Sequence, residues 1–215
     1  MDEKNTKFGY DKYKVNLRSL IKFELKSFFG RMLSPKLRKN QHKLINIGCG
    51  NQIYENFENV DFYTTRFWKA RFIGHDLRYK FPYKDNSFDG AFCDNVLEHL
   101  HPSDGINFLK DVKRILNEES IFRIVVPDLE KYILYYNNKN IKEFEHFKSG
   151  CNAIWNLTHN WGHLSTWDFH MLSLQLRNLG FKDVKKFKIM EGQDKRLIKD
   201  FPGRDWECLY VECKS

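Results

Sequence analysis

Lys43-Leu44-Ile45-Asn46-Ile47-Gly48-Cys49-Gly50-Asn51 is an apolar run that stops on two glycines. A backbone bare of Cβ atoms at that point can turn sharply and lie against a nucleotide. Asn59-Val60-Asp61 is a second short apolar run, closing on a carboxylate that could accept hydrogen bonds from a ribose diol. After Phe72-Ile73-Gly74 come His75-Asp76-Leu77, a carboxylate able to accept an exocyclic adenine amine beside a side chain able to pack on the ring. The fourth cluster, Cys93-Asp94-Asn95-Val96-Leu97-Glu98-His99-Leu100, follows the patterned stretch from Asn86 to Phe92. If these apolar runs are parallel strands, all four clusters fall beyond their carboxyl ends, where open α/β sheets bind ligands.

Later in the chain Tyr132, Tyr135, Tyr136, Trp155, His159, Trp161 and His163 form a dense polar and aromatic set. A histidine with a pKa of about 6.5 can take a proton from a hydroxyl or ammonium group, and His163 is the candidate base. The same residue could instead cap the following helix or be hydrogen-bonded in the core. His99 and Glu98 could orient a reactant or stabilise the turn before Pro102. Histidines at i and i+4 share a helix face and can hold a metal, which brings His159-x-x-x-His163 and Glu98-His99-x-His101 under consideration. Pro102 and Gly162 interrupt the helices such spacing needs and no third ligand is evident, so no metal site is expected.

The elements that must position these groups alternate between short apolar runs and helical patterns. Candidate strands are 43–47, 58–62, 71–74, 87–93 and 120–126. Helical spacing is clearest at 103–116 (Ile106, Leu109, Val112, Ile115, Leu116) and 166–179 (Phe169, Leu172, Leu176, Leu179), with Gly180 placed as a helix stop. Segments 182–189 and 206–213, joined by a loop with Pro202 and Gly203, read as an antiparallel edge. The order implies a doubly wound α/β fold with a mostly parallel sheet. Between the first two strands, Asn51 to Phe57 falls short of a helical crossover, and a single helical turn is expected there.

Ahead of the first strand, residues 1–42 form a basic arm. Val15, Leu17, Leu20, Ile21, Leu25, Phe28, Phe29 and Met32 recur near helical spacing, with Arg18, Lys22, Lys26 and Arg31 between them. This predicts an amphipathic helix that packs on the body or covers its cleft, docks on an anionic membrane surface, or contacts RNA. Residues 1–40 carry eleven Lys/Arg against four Asp/Glu, so they hold most of the net charge of +8. The remainder is nearly neutral, unlike an enzyme whose cleft itself grips nucleic acid. A length of 215 residues suits one domain plus this arm. Five cysteines without a Cys-x-x-Cys pair argue against a disulfide framework. With no signal peptide at Met1 and no apolar run of about 18 residues, a cytoplasmic location is expected.

Taken in order, Leu44-Ile45-Asn46-Ile47-Gly48-Cys49-Gly50, Phe88-Asp89-Gly90-Ala91-Phe92, Val96-Leu97-Glu98-His99-Leu100 and Arg123-Ile124-Val125-Val126-Pro127-Asp128 resemble the class I S-adenosylmethionine-dependent methyltransferases. Within them the chain looks most like a bacterial branch often associated with surface polysaccharide pathways, which Trp161-Gly162-His163 also resembles. The resemblance runs from about residue 43 to the C-terminus and implies a seven-stranded Rossmann-like sheet. It implies that Asn46, Gly48, Cys49 and Gly50 meet the methionine part of the cofactor, that Asp61 holds the ribose, that Asp76 and Leu77 frame the adenine, and that Asn95 lies beside the cofactor. Residues 127–165 would be an insertion shaping the acceptor pocket, with His163 and His99 on the acceptor side. Asn46 stands where many members of the family carry an acidic residue. The implied activity is O- or N-methylation of a small molecule or glycan. A non-catalytic partner subunit of the same fold and an RNA methyltransferase are the alternatives. A dinucleotide oxidoreductase is disfavoured because Ile53 occupies the place of its third glycine. An amino-methylating nucleic-acid enzyme is disfavoured by Asp94-Asn95-Val96-Leu97 where an Asn/Asp-Pro-Pro-aromatic run is expected.

Overall fold

The computed structural model describes residues 17–63, 72–137 and 142–215. In chain order the elements are α1 (Leu17–Leu33), β1 (Leu44–Ile47), β2 (Phe57–Asp61), β3 (Ile73–Gly74), β4 (Phe88–Asp94), α2 (Pro102–Ile115), β5 (Leu116–Pro127), α3 (Leu129–Tyr136), α4 (Gly150–His159), α5 (Phe169–Asn178), β6 (Lys182–Phe187) and β7 (Cys208–Lys214). They build one seven-stranded sheet in the order β3-β2-β1-β4-β5-β7-β6. β1 to β5 pair in parallel, while β7 runs antiparallel to both β5 and β6. The expected antiparallel edge is therefore present, with the last strand inserted one place inward. No helix among the described residues is long and apolar enough to cross a membrane.

Local chemistry explains the boundaries. α2 opens on Pro102 after His101, whose ring accepts from the Ser103 amide, and ends in Lys113 and Arg114, which complement the helix dipole. α5 begins three residues later than its apolar spacing suggested, because Asp168 caps the Met171 amide at 2.7 Å. His163 is thus not the cap. Gly180 follows with φ +89°, a left-handed conformation that suits glycine.

The sheet's two faces are covered differently. On one, Ile45, Ile47, Val60 and Ile124 pack against Phe108, Leu109 and Val112 of α2 and Leu172 and Leu176 of α5. On the other, Leu44, Phe57, Phe92 and Val125 meet Leu197, Ile189 and Tyr54, all from loops. No helical turn forms between β1 and β2, contrary to expectation. The segment is instead closed by turns and stapled by Asn59, whose side chain accepts from the Tyr54 amide (3.1 Å) and donates to the carbonyls of Tyr54 (2.8 Å) and Phe57 (3.0 Å). An amide that replaces helical hydrogen bonds lets a parallel connection close in fewer residues than a crossover helix needs.

The arm's helix is present but turned. Its body-facing side is Phe23, Ser27, Gly30 and Arg31: Phe23 stacks on Phe62 (4.2 Å, 9°), Ser27 is buried against Asp76, and Arg31 lies 3.6 Å over Tyr79. A side chain at Gly30 would collide with the Tyr63 ring. Leu17, Ile21, Leu25, Phe28 and Met32 share the outward face and are exposed. The expected amphipathic helix thus packs through its polar and small residues and leaves its apolar stripe uncovered by any described residue. Val15, also expected on this helix, lies outside the described residues.

Candidate active site

The C-terminal ends of the parallel strands bring the glycine loop, Asp61, Asp76 and Asn95 to one edge of the sheet. Gly48 and Gly50 both have positive φ, +70° and +52°, yet they face different surroundings. A Cβ at Gly48 would strike Val96, whereas no described residue lies within 4 Å of the place where a Cβ of Gly50 would be. Gly50 is therefore the open cradle. Its amide donates to Asp61 Oδ2 at 2.5 Å, and the Phe62 amide donates to Oδ1 at 2.6 Å. A carboxylate offers about four acceptor positions, so Asp61 keeps capacity for a diol. Cys49 is buried and its thiol is pushed up to about 12 by burial and then by Asp61, so it is no nucleophile. Asn46 is buried too and gives its amide hydrogens to Gln52 O (2.7 Å) and Asn59 Oδ1 (3.0 Å). It shapes the loop from below.

Asp76 is 2% exposed, and its oxygens accept from Ser27 Oγ (2.5 Å), the Arg78 amide (3.0 Å) and the Arg78 guanidinium (2.7–3.2 Å). Burial pushes its pKa up, but the Arg78 and Ser27 hydrogen bonds outweigh that and hold it below the usual aspartate value. All its acceptor positions are filled by α1 and its own loop. Leu77 packs against the main core.

Across the edge lies a cavity of about 500 Å³ lined by Asn95, Glu98, His99, Tyr132, His163, Arg204 and Glu207. Asn95 adopts φ +53° and accepts from Arg204 Nη2 at 3.1 Å, while Arg204 Nε donates to Glu207 Oε1 at 2.8 Å. The Tyr132 hydroxyl donates to Glu207 Oε2 at 3.3 Å. Arg204 and Glu207 escaped sequence reading; their only signal was the Pro202-Gly203 loop before the last strand. His163 donates from Nδ1 to the Leu157 carbonyl at 2.6 Å, which fixes its tautomer and leaves Nε2 with a lone pair. Its ring stands edge-on to His99, centroids 5.0 Å apart. Burial lowers the pKa of both, with His163 a further cause for His99, whose outer edge is in solvent. Glu98 is 2% exposed, and burial pushes its carboxyl up to about 8. His159, Trp155 and Trp161 are exposed, and Tyr135 belongs to a separate cluster around Phe144 inside the 127–165 segment.

Residues 55–124 match a family model described as a methyltransferase domain. No curated protein matches the chain. Among solved structures, a SAM-dependent methyltransferase from Thermotoga maritima shares 16% identity with a TM-score of 0.55, covering 95% of this chain and 96% of that one. A SAM-dependent methyltransferase from Archaeoglobus fulgidus shares 17% identity, with a TM-score of 0.51 over 93% of this chain and 100% of the other. A chain of the complex between the Trm112 methyltransferase activator and a methyltransferase of Haloferax volcanii shares 14% identity, with a TM-score of 0.50 over 95% and 96%. At these identities the structures establish the fold, and the methyltransferase-domain match covers about a third of the chain within it.

Proposed function

We propose that the chain is an S-adenosylmethionine-dependent methyltransferase acting on a small molecule or glycan, by O- or N-methylation. The observation that carries this reading is the empty space before Gly50, bounded by the Asp61 carboxylate at the carboxyl edge of the sheet. S-adenosylmethionine supplies an activated methyl group on a sulfonium. Gly48 and Gly50 would let the backbone approach its amino-acid part, Asp61 would take the ribose hydroxyls, and Asn95 would lie beside it. Asp76 and Leu77 would border the adenine. Ser27 and the stacked Phe23 now fill the neighbourhood with a hydroxyl donor and a flat ring, so α1 must shift for a nucleoside to reach Asp76. With the donor already activated, positioning and exclusion of water supply most of the rate. His163, its Nε2 unprotonated, is the group on the acceptor side suited to take up the acceptor's proton, with His99 beside it. Segment 127–165, with Tyr132 on the cavity wall, would shape the acceptor pocket. A glycan acceptor suits the polar wall of Asn95, Arg204 and Glu207.

Calorimetry with S-adenosylmethionine and its demethylated product tests the reading. Saturable binding of both is expected. Absence of binding at high micromolar concentration would establish the non-catalytic partner subunit instead, in keeping with Asn46 spending its amide hydrogens inside the loop. For the arm, we propose contact with an anionic membrane surface rather than RNA, because its outward face is apolar and its flank basic.

A further inference from the structure

The wall of the acceptor-side cavity holds a buried carboxylate, Glu98, that neither cofactor binding nor proton uptake explains. Glu98, His99 and His163 each bring one nitrogen or oxygen ligand atom to within 4.8 Å of the others. Both carboxylate oxygens of Glu98 are shielded from solvent and, apart from the residue's own amide, find no hydrogen-bond partner among the described residues. A carboxylate stripped of water and left unpaired is strongly unfavourable unless a cation or proton meets it. Neither histidine is placed to help as a donor through every nitrogen. His163 spends its N–H on the Leu157 carbonyl, and the Gly162 carbonyl stands as acceptor beside the His99 ring. An imidazole anchored to a backbone carbonyl by one nitrogen with the other bare, as at His163, is the arrangement found around metal-ligating histidines.

We propose that Glu98, His99 and His163 bind a divalent transition-metal cation. Two imidazoles and one carboxylate suit zinc, cobalt or iron(II), and three protein donors leave positions open toward the cavity. Deepening the transferase reading and resting on it, the open positions would take oxygen atoms of the acceptor and hold it in place. A cation on His163 Nε2 takes the lone pair that proton uptake would use, so the base role given to His163 belongs to the metal-free protein alone. Neither histidine pair that drew notice in the sequence is the ligand set. His101 caps α2 and His159 is exposed, while the cluster takes one histidine from each pair and joins them through Glu98, a meeting that spacing alone did not reveal.

The test uses the full chain without an affinity tag, stripped with a chelator and titrated with cobalt(II) while visible absorption is followed, then with zinc in competition. The expected result is d–d absorption saturating at a single equivalent and displaced by zinc. Glu98→Gln, an isosteric change, and His163→Ala should each weaken cobalt binding by more than about tenfold. His159→Ala and the exposed-thiol variant Cys151→Ser should bind as the parent does. Circular dichroism melts of each variant separate ligand loss from unfolding, and the Glu98→Gln chain serves if His163→Ala does not fold. Failure to bind a stoichiometric cation, or binding that survives both Glu98→Gln and His99→Ala in folded protein, overturns the proposal. Cofactor calorimetry on the same stripped protein keeps the two readings apart: a chain that binds the nucleoside but not cobalt loses only the metal site, and the reverse loses only the transferase.

Discussion

Gly48 and Gly50 share a backbone conformation but differ in what surrounds them, and that difference predicts separable effects. An alanine costs roughly 1–2 kcal/mol at either positive φ, but at Gly48 it also meets Val96. Gly48→Ala should therefore lower the thermal midpoint further than Gly50→Ala does. Gly50→Ala should keep the fold and lose most cofactor affinity, because its methyl fills the cradle. Equal affinity in Gly50→Ala by calorimetry would show that no ligand lies against that backbone. Asp76 predicts a pH effect. Its carboxylate is buried, yet Arg78 and Ser27 hold its folded pKa below the ordinary aspartate value of 3.8. A depressed folded pKa gives stability that is fully present above the unfolded value and lost as pH falls through the folded one. The stability advantage of the parent over Asp76→Asn should hold steady near neutrality and shrink only below about pH 4, as read by urea midpoints at each pH. An advantage that grew on acidification would show the sign to be wrong.

Elements were legible where their signal was local. Strand and helix positions followed from alternation, the cap at Asp168 and the stop at Gly180 shifted them by a few residues, and the glycine loop announced itself. What stayed hidden depends on partners distant in sequence. Arg123 on β5 bonds Asp200 Oδ2 (2.5 Å) and Glu212 Oε1 (2.9 Å), all with side chains fully buried, across separations of 77 and 89 residues. Arg123 and Glu212 are register partners, and Asp200 also accepts from the Met190 amide (2.7 Å). These charges fasten the 189–200 loop over the face left without a crossover helix, and no periodicity could have shown it. The meeting of Glu98 and His99 with His163 was hidden for the same reason, since α2, β5, α3 and α4 lie between them in the chain. Arg123→Met should destabilise by about 3–5 kcal/mol, because it strands two buried carboxylates. Replacing all three residues together by apolar ones should recover most of that loss. Urea denaturation of the single and triple variants measures both, and a single variant within about 1 kcal/mol of the parent would mean that the carboxylates are neutral or solvated.

At the scale of the whole molecule, a nearly neutral body carries a basic arm whose helix faces the wrong way for a soluble surface. α1 gives its buried side to Ser27 and its solvent side to Leu17, Ile21, Leu25, Phe28 and Met32, each roughly half exposed or more. Arg18, Lys22 and Lys26, spaced by four, run along one flank of that stripe. Side chains such as these lower their free energy by entering a lipid interface while the lysines meet anionic headgroups. RNA offers phosphates for the flank but nothing for the leucines, whereas the proposed lipid surface would account for both halves of the face. Burial on a membrane would also bear on the site, since the opposite side of the same helix donates Ser27 to Asp76 and stacks Phe23 on Phe62. The full chain should co-sediment with phosphatidylserine vesicles, less so as salt rises, and poorly with neutral ones. Phe28→Glu should abolish sedimentation without changing the melt, because that ring is half exposed and no described body residue depends on it. Undiminished binding by Phe28→Glu, or tighter binding to RNA than to vesicles at the same salt, would assign the arm to a different partner.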